Sequence, residues 1–251
     1  MPAKLYSLHV SHPALAARAM LEHKGIEHRV VNLVPGFQPV LRALGFPGYT
    51  VPALVVGRRR IQGSRAISRA LDELRPDPPL FPRDPDARAR VEEAERWGEE
   101  VLQEVPRRIF RWALANEYGV RRWLAVDVAH MPGGAVIARP PLQAKAFARA
   151  AGAGDAAVQR DVADLPGHLA EVERLREEGT IGGAERNAAD FQIASSLRSL
   201  AKIGDLETHL ADHPAIRWAT TVVPALPGPT PPALPREWLA PLEPAGRAHR
   251  R

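Results

Sequence analysis

The chain of 251 residues contains no cysteine. Disulfide bonds, thiolate metal ligands and a cysteine nucleophile are therefore excluded, and so is any disulfide exchange in which the protein would supply the sulfur. The absence is neutral on the cellular compartment. Any thiol chemistry at this protein has to use a sulfur atom that a small molecule brings with it.

Long apolar runs are absent too, although 45% of the residues are hydrophobic and can build a substantial core. No segment approaches the roughly 20 apolar residues that a membrane-spanning helix needs. The N-terminal residues enter a strand-like pattern directly, without the features of a signal peptide. We therefore expect a cytoplasmic protein that has no membrane partner.

Positive charge is concentrated near the N-terminus. Residues 1–78 hold 11 lysines and arginines against 5 acidic residues, while the rest of the chain is nearly balanced. These cations are dispersed, apart from Arg58 to Arg60, which are typical of a solvated hairpin tip. Nucleic-acid binding requires a basic stripe or patch, so we expect no nucleic-acid partner. A basic domain also suits a small anionic ligand.

Hydrophobic periodicity divides the chain into two domains. Residues 1–77 show the order β-α-β-α-β-β-α, with the last helix from Ser64 to about Leu74. Prolines at five positions from 76 to 85 predict a linker over residues 78–86. Residues 87–223 show helical spacing, which predicts an all-helical domain.

The helical domain has predicted boundaries of its own. Pro106 is expected to kink its first long helix. Later helices are predicted over residues 142–151, 155–177, 188–203 and 206–222. Residues 224–251 are rich in proline, which predicts a tail without helix or strand, either mobile or lying on the surface. Trp238 is a candidate anchor for this tail.

Two short motifs in the first domain point to a ligand. Val51-Pro52 precedes an apolar strand, and Gly63-Ser64 opens the helix that follows the next strand. Backbone groups at such a proline can pair with an extended peptide, and the amide N–H groups at a helix start favour an anion. The pair of motifs is suited to a peptide-like anion.

In this order and spacing, the motifs resemble those of the soluble glutathione S-transferase family. The matching segments, within about residues 4–222, are Ser11 to Ala14, Lys24 to Ile26, Val51-Pro52, Ser64 to Ile67, Asn187 to Asp190 and His213 to Trp218. The resemblance implies an α/β thioredoxin-like N-terminal domain followed by an all-α C-terminal domain. It also implies a cis bond before Pro52 and a homodimer.

The resemblance further implies a site for glutathione as substrate. Ser11 lies where the serine- and cysteine-type members carry the catalytic group, and its hydroxyl would stabilise a thiolate at the start of the first helix. A plain helix N-cap is the other interpretation of Ser11, and Tyr6 is a rival hydroxyl donor. The implied substrate-binding residues are His12, Val51, Pro52, Gln62, Ser64 and Arg65.

One departure from the family pattern lies just before Ser64. The family usually has Glu or Asp there, which receives the ammonium group of glutathione, whereas this chain has Gly63. We expect Gln62 to substitute in part. A basic residue before the proline is missing as well, and Arg42 and Gln38 are alternative candidates for the glycyl carboxylate.

Two functions follow from these residues. The first is a transferase that conjugates the glutathione thiol to an electrophile or otherwise activates it, so that its partners are a small-molecule thiol and an electrophile. The alternative is a non-catalytic or divergent binding or interaction protein with a degraded thiol site, which Gly63 favours. Asn187 and Asp190 have the spacing of a capping box. The histidine pairs at 9 and 12 and at 209 and 213 lack a third ligand, so we predict no metal site.

Overall fold

A four-stranded mixed sheet is the centre of the first domain in the computed structural model, which describes residues 2–37 and 39–243. Its strands are β1 Ala3–Ser7, β2 His28–Asn32, β3 Ala53–Val56 and β4 Arg59–Gln62. β1 pairs in parallel with β2 and antiparallel with β3, and β4 pairs antiparallel with β3. The resulting order β2-β1-β3-β4 is the predicted thioredoxin-like arrangement.

Three helices complete this domain, namely α1 His12–His23, α2 Val40–Ala43 and α3 Ser64–Leu74. The predicted order of elements is confirmed, and α3 has the predicted bounds. α1 and α3 contact each other and bury apolar side chains in the main core. α2 covers a smaller cluster formed by Tyr6, Leu41, Phe46 and Ala53.

The second domain is helical, as predicted. Its helices are α4 Pro85–Trp97, α5 Glu104–Asn116, α6 Tyr118–Arg122, α7 Gly134–Ile137, α8 Leu142–Ala150, α9 Asp155–Glu177, α10 Ala188–Leu200, α11 Gly204–Leu210 and α12 Pro214–Val222. α10 is buried almost throughout and packs against α1, so it joins the cores of the two domains. Within the described residues, no helix is both long enough and apolar enough to cross a membrane.

The linker and the first long helix differ in detail from the prediction. α4 begins at Pro85, within the predicted linker, because the Asp84 side chain accepts a hydrogen bond from the Ala87 N–H and caps the helix. A π-helical turn, Gly98–Leu102, separates α4 from α5. This irregularity precedes Pro106, which lies in the first turn of α5, where a helix tolerates proline.

The prediction of one helix over residues 206–222 is wrong, since α11 and α12 are separate. Pro214 opens α12, and the His213 Nδ1 accepts a hydrogen bond from the Ala215 N–H at 3.2 Å as its N-cap. A proline is favoured in the first turn of a helix and disfavoured in its interior, so the chain restarts there.

The Pro-rich segment is more structured than predicted. Arg236–Leu242 form a 3-10 helix, contrary to the expectation of no helix. The Trp238 ring packs against the Trp112 ring with centroids 5.1 Å apart, which confirms the predicted anchor. Leu226 and Leu234 are buried in the main core. The last part of the predicted tail, residues 244–251, lies outside the described residues.

Candidate functional site

A cavity of about 1190 Å³ lies between the two domains. The loop after β1, the start of α1, the loop that leads to β3 and the start of α3 form its wall on the side of the first domain. The π-helical turn Gly98–Leu102 and α5 form the facing wall. Five of the seven predicted site residues line this cavity, namely Ser11, His12, Val51, Pro52 and Ser64.

Ser11 is the N-cap of α1. Its Oγ accepts a hydrogen bond from the Ala14 N–H at 3.3 Å, which satisfies one of the free N–H groups at the helix start. A hydroxyl that accepts still has its own O–H to donate, and this hydroxyl is at the cavity wall. The two interpretations of Ser11, a helix cap and a donor to a ligand, are therefore compatible.

Tyr6, the rival donor, lies elsewhere. It is buried in the cluster beneath α2, with its ring edge-on to Phe46 at 5.8 Å between centroids. The cavity lining does not include it. The geometry therefore favours Ser11 over Tyr6 as the hydroxyl that a ligand in the cavity would meet.

His12 is buried in the neutral form next to Ser11. Burial is the main cause that lowers the pKa of His12 from 6.5 to about 3, and the positive charges of Arg107 and Arg111 lower it further. Its Nε2 has no hydrogen-bond partner among the described residues. His12 therefore presents an uncharged ring at the site, and we do not expect it to act as a cation there.

Replacing His12 with phenylalanine should make the protein less sensitive to mild acid. Because the pKa of His12 is lower in the folded than in the unfolded chain, its contribution to stability is present above pH 6.5 and is lost as the pH falls toward 3. Between pH 7 and pH 5 this loss is about 2 kcal/mol. Urea unfolding at the two pH values should show a smaller loss for His12→Phe by that amount. An equal loss in both proteins would contradict the assignment.

The Val51-Pro52 bond is cis, as the family resemblance implied. Among the described residues, no backbone hydrogen bond uses the N–H or C=O group of Val51. Gln62 holds this loop, since its Oε1 accepts from the Gly48 N–H at 2.7 Å and its Nε2 donates to the Thr50 C=O at 2.6 Å. Both ends of the Gln62 amide are thus occupied, and it does not line the cavity. The expectation that Gln62 replaces the missing acid is not supported.

The N-terminus of α3 opens into the cavity without a side-chain cap. The first helical backbone bond joins the Ile67 N–H to the Gly63 C=O, so the N–H groups of Ser64 and Arg65 have no helical partner. Gly63 has φ +94° and ψ 144°, a conformation that residues with a Cβ rarely adopt. A Cβ there would meet nothing within 4 Å, so the backbone angle, not space, accounts for glycine in place of an acid.

Acidic side chains reach this helix start from the other domain. The Ser64 hydroxyl donates to Glu99 Oε1 at 3.3 Å. Arg65 Nη1 lies 3.5 Å from Glu99 Oε2 and 3.4 Å from Glu100 Oε1. The side chain of Arg65 is used by these ion pairs and does not line the cavity, whereas both glutamates do.

The π-helical turn Gly98–Leu102 positions Glu99. Gly98, at its start, lies so close to α10 that a Cβ would be 3.0 Å from Ile193 Cγ1. Nearby, the buried Glu95 accepts a hydrogen bond from the Ser68 hydroxyl at 2.7 Å and from Arg69. Burial is the main cause that raises the pKa of Glu95. These contacts hold α3 against α4 and so fix the domain contact next to Glu99.

The far side of the cavity is largely apolar. Phe110 and Leu114 of α5 line it together with Trp123, whose ring is edge-on to Phe110 at 6.4 Å. Trp112 is directed into the core, where its Nε1 donates to Asp155 Oδ1 at 2.7 Å. Arg42, one candidate for a glycyl carboxylate, instead donates to the Pro47 C=O and does not line the cavity. The other candidate, Gln38, lies outside the described residues.

One further sequence motif proves structural. Asn187 and Asp190 form the predicted capping box at the start of α10. In the part of the chain that the structure describes, no group of three or more His, Asp or Glu side chains could hold a metal ion.

The residues that sequence reasoning missed come from the helical domain. Glu99 and Arg111 line the cavity, and neither belongs to a motif with the N-terminal residues. The only available signal for Arg111 was its place in the apolar stripe of α5, one turn after Arg107.

Comparison with known proteins supports the fold. Residues 5–79 match the family model described as glutathione S-transferase, N-terminal domain. A curated relative, glutathione S-transferase Z1 of Arabidopsis thaliana, is 43% identical over 90 residues, which are 34% of this chain and 40% of the relative. The matched part thus spans less than half the length of that relative.

Solved structures share the fold over most of the chain. A glutathione S-transferase from Rhodospirillum rubrum F11 covers 95% of this chain and 99% of its own, with a TM-score of 0.61 and 21% identity. A glutathione S-transferase from Methylobacterium radiotolerans, solved with glutathione sulfonate, covers 88% of this chain and 90% of its own, with a TM-score of 0.57 and 21% identity. Both domains therefore have counterparts in a single known architecture.

Proposed function

Since the chain belongs to the glutathione S-transferase family, with the N-terminal domain of that family at residues 5–79, we propose that it binds glutathione between its domains and activates the thiol toward an electrophile. One observation carries the proposal. The Ser11 hydroxyl, the backbone of Val51 and the open start of α3 at Ser64 all line the same cavity. The glutathione sulfonate in the M. radiotolerans relative is consistent with it.

The proposed binding mode follows the free backbone groups. The cysteinyl backbone of glutathione pairs with the N–H and C=O groups of Val51, in the manner of an added strand. The γ-glutamyl carboxylate accepts hydrogen bonds from the N–H groups of Ser64 and Arg65 at the positive end of the α3 dipole. The thiol then lies near Ser11 at the start of α1.

Glu99 supplies the charge that Gly63 cannot. In our proposal its carboxylate, which belongs to the second domain, receives the γ-glutamyl ammonium group. Glu99 lies within hydrogen-bond distance of Ser64, so the groups for the carboxylate and the ammonium are adjacent. A hydrogen bond between charged partners contributes about 1.5–3 kcal/mol, and the competing contact of Glu99 with Arg65 reduces this value.

The proposed reaction begins with loss of the thiol proton to solvent. The thiolate, stabilised by the Ser11 O–H and the dipole of α1, attacks an electrophilic carbon in the apolar half of the cavity. A carbon–sulfur bond forms, and the bond to the leaving group breaks with its electron pair. No protein sulfur takes part, in agreement with the absence of cysteine.

Glu99→Gln should weaken glutathione binding by roughly fivefold to tenfold, because a neutral amide attracts an ammonium group less than a carboxylate does. The discriminating ligand is glutaryl-cysteinylglycine, which lacks the ammonium group. Its affinity should change by less than about twofold, as isothermal titration calorimetry would show. Glu93→Gln, an exposed position on α4, is the matched control. Equal loss for both peptides would refute the role of Glu99.

Consumption of the glutathione thiol tests the transferase activity directly. Incubation with a chloronitrobenzene should release chloride and form a thioether faster than the uncatalysed reaction, and Ser11→Ala should slow it. The specific observation that favours a binding protein is the glycine at position 63. Saturable binding of glutathione without any turnover of several electrophiles would support that alternative.

We also propose a cytoplasmic homodimer. Phe37 and Tyr49 are exposed apolar side chains on the first domain and suit contact with a second copy. The cytoplasm is the compartment in which glutathione is kept reduced. Sedimentation equilibrium of the full chain tests the dimer, for which a single species of monomer mass would be the contrary result.

A further inference from the structure

Arg111 is a partly buried arginine on α5. Its neighbours on α5 are paired, since Arg107 forms an ion pair with Glu104, and Arg108 binds Asp161 at 2.7 and 2.6 Å with two nitrogens. Among the described residues, no hydrogen bond or ion pair uses the guanidinium of Arg111. Burial is the main cause that lowers the pKa of Arg111; the charge of Arg107 adds to the effect, and the carboxylate of Glu104 opposes it. Such a group is costly to bury unless an anion binds to it.

Arg111 lies in the wall of the cavity between the domains. Arg107, Phe110, Arg111 and Leu114 follow one another on α5 at intervals of three, one and three residues, which places them on one helix face, and all four line the cavity. The Phe110 ring meets Trp123 edge-on. The wall therefore combines an aromatic surface with a guanidinium that forms no hydrogen bond or ion pair among the described residues.

The position of Arg111 relates it to the proposed thiol site. Its charge and that of Arg107 act on the His12 ring, the residue next to Ser11. Arg107 and Arg111 share the single carboxylate of Glu104, which pairs with Arg107 and acts at longer range on Arg111, so this side keeps an excess of positive charge. The acidic groups Glu99 and Glu100 lie by contrast at the start of α3, where Arg65 is their partner. The two ends of the cavity thus differ in charge.

We propose that the electrophilic substrate is an amphipathic carboxylate, whose aromatic or other apolar body lies against Phe110 and Trp123 while its carboxylate binds Arg111. The inference rests on the proposed function and names its substrate class. A planar guanidinium can donate two parallel hydrogen bonds to a carboxylate, which explains why an arginine suits this position. The apolar wall excludes water from the pair and strengthens it.

Binding of an unreactive pair of ligands tests the carboxylate site without glutathione. By calorimetry, 2-naphthoate should bind the wild-type protein more tightly than 2-naphthamide, which has the same ring and no charge. Arg111→Gln should weaken 2-naphthoate about tenfold and 2-naphthamide less than about twofold. Arg111→Lys keeps the charge without the planar fork and should restore part of the affinity.

Arg160→Gln is the matched control, since Arg160 is exposed on α9, does not line the cavity, and has no ion pair or hydrogen bond within the described chain. Its affinities should equal those of the wild type. Equal binding of acid and amide to the wild type, or the same loss for both ligands in Arg111→Gln, would overturn the proposal. Circular dichroism of Arg111→Gln should match the wild type, because no hydrogen bond or ion pair of Arg111 among the described residues is removed.

Turnover separates this inference from the proposed function. With glutathione, kcat/KM for 4-chloro-3-nitrobenzoate should fall about tenfold in Arg111→Gln, and kcat/KM for 4-chloro-3-nitrobenzamide should be nearly unchanged. Selective naphthoate binding without any reaction with glutathione would refute the transferase function and support the carboxylate site. Turnover in which acid and amide respond alike to Arg111→Gln would refute the carboxylate site and support the transferase.

Discussion

Replacing Ser11 with alanine should lower kcat/KM for glutathione conjugation by roughly 10- to 100-fold. The side chain that would donate to the thiolate is lost, and a hydrogen bond to a charged group contributes about 1.5–3 kcal/mol. The pKa of the bound thiol should rise toward the ~8.5 of a free thiol. Thiolate absorbance of the glutathione complex, followed as a function of pH, measures this change.

The helix cap complicates this variant, because Ser11 also accepts from the Ala14 N–H. Its loss costs about 1 kcal/mol of stability by itself. Ser11→Asp keeps an N-cap acceptor, removes the hydroxyl donor and places a carboxylate that repels the thiolate, so it should be as stable as the wild type and yet lose more activity than Ser11→Ala. Ser11→Thr keeps both groups and should retain most of the activity. An active Ser11→Asp protein would show that Ser11 is only a cap.

Asp72→Ala should destabilise the protein by about 3 kcal/mol, since it leaves a buried ammonium group without its anion. Lys24 is almost fully buried at the C-terminal end of α1. Its Nζ binds Asp72 Oδ1 at 2.6 Å, the Arg75 C=O at 2.7 Å and the Pro78 C=O at 2.5 Å. This contact ties α1 to the end of α3 and to the linker. Urea unfolding measures the free-energy difference.

An exposed ion pair on the same helix gives the control. Glu73 contacts Arg59 at 3.1 Å, and both side chains are more than half exposed to solvent. Glu73→Ala should therefore change the free energy of unfolding by less than about 1 kcal/mol. If Asp72→Ala and Glu73→Ala had equally small effects, the buried lysine would not be the link between α1, the end of α3 and the linker that its contacts indicate.

The elements of the first domain could be predicted because their signals are local. Ser11 as a cap and Pro13 in the first turn define the start of α1. Gly25, with φ +59°, follows its end, where a left-handed residue commonly terminates a helix. Gly63 and Ser64 likewise define the start of α3. In each case a few consecutive residues determine the backbone conformation without help from distant parts of the chain.

The C-terminal elements were predicted less well because distant contacts decide them. The composition of the Pro-rich segment indicates no helix, yet the contact of Trp238 with Trp112 holds that segment on the helical domain. Asp205 adds hydrogen bonds from the Ala233 and Leu234 N–H groups at 2.7 and 3.1 Å. Neither contact is encoded in the local pattern. Tertiary packing thus overrode the compositional signal.

The candidate site shows the same division. Ser11 and Ser64 could be named from motifs, because each opens a helix at the wall of the cavity. Glu99 and Arg111 could not, because their role depends on how closely the second domain approaches the first. Gly98 permits that approach because it has no side chain. Its closeness to Ile193 is visible only in the three-dimensional structure. The sequence therefore predicts half of the cavity wall, and packing defines the other half.

Calorimetric titration of the full-length wild-type protein with reduced glutathione tests the central claim most directly. We expect saturable binding at one site per chain, with a dissociation constant below about 1 mM. If no binding is detected at glutathione concentrations of about 5 mM and above, the result contradicts the claim. The groups around Ser11, Val51 and Ser64 would then not form a site for this peptide.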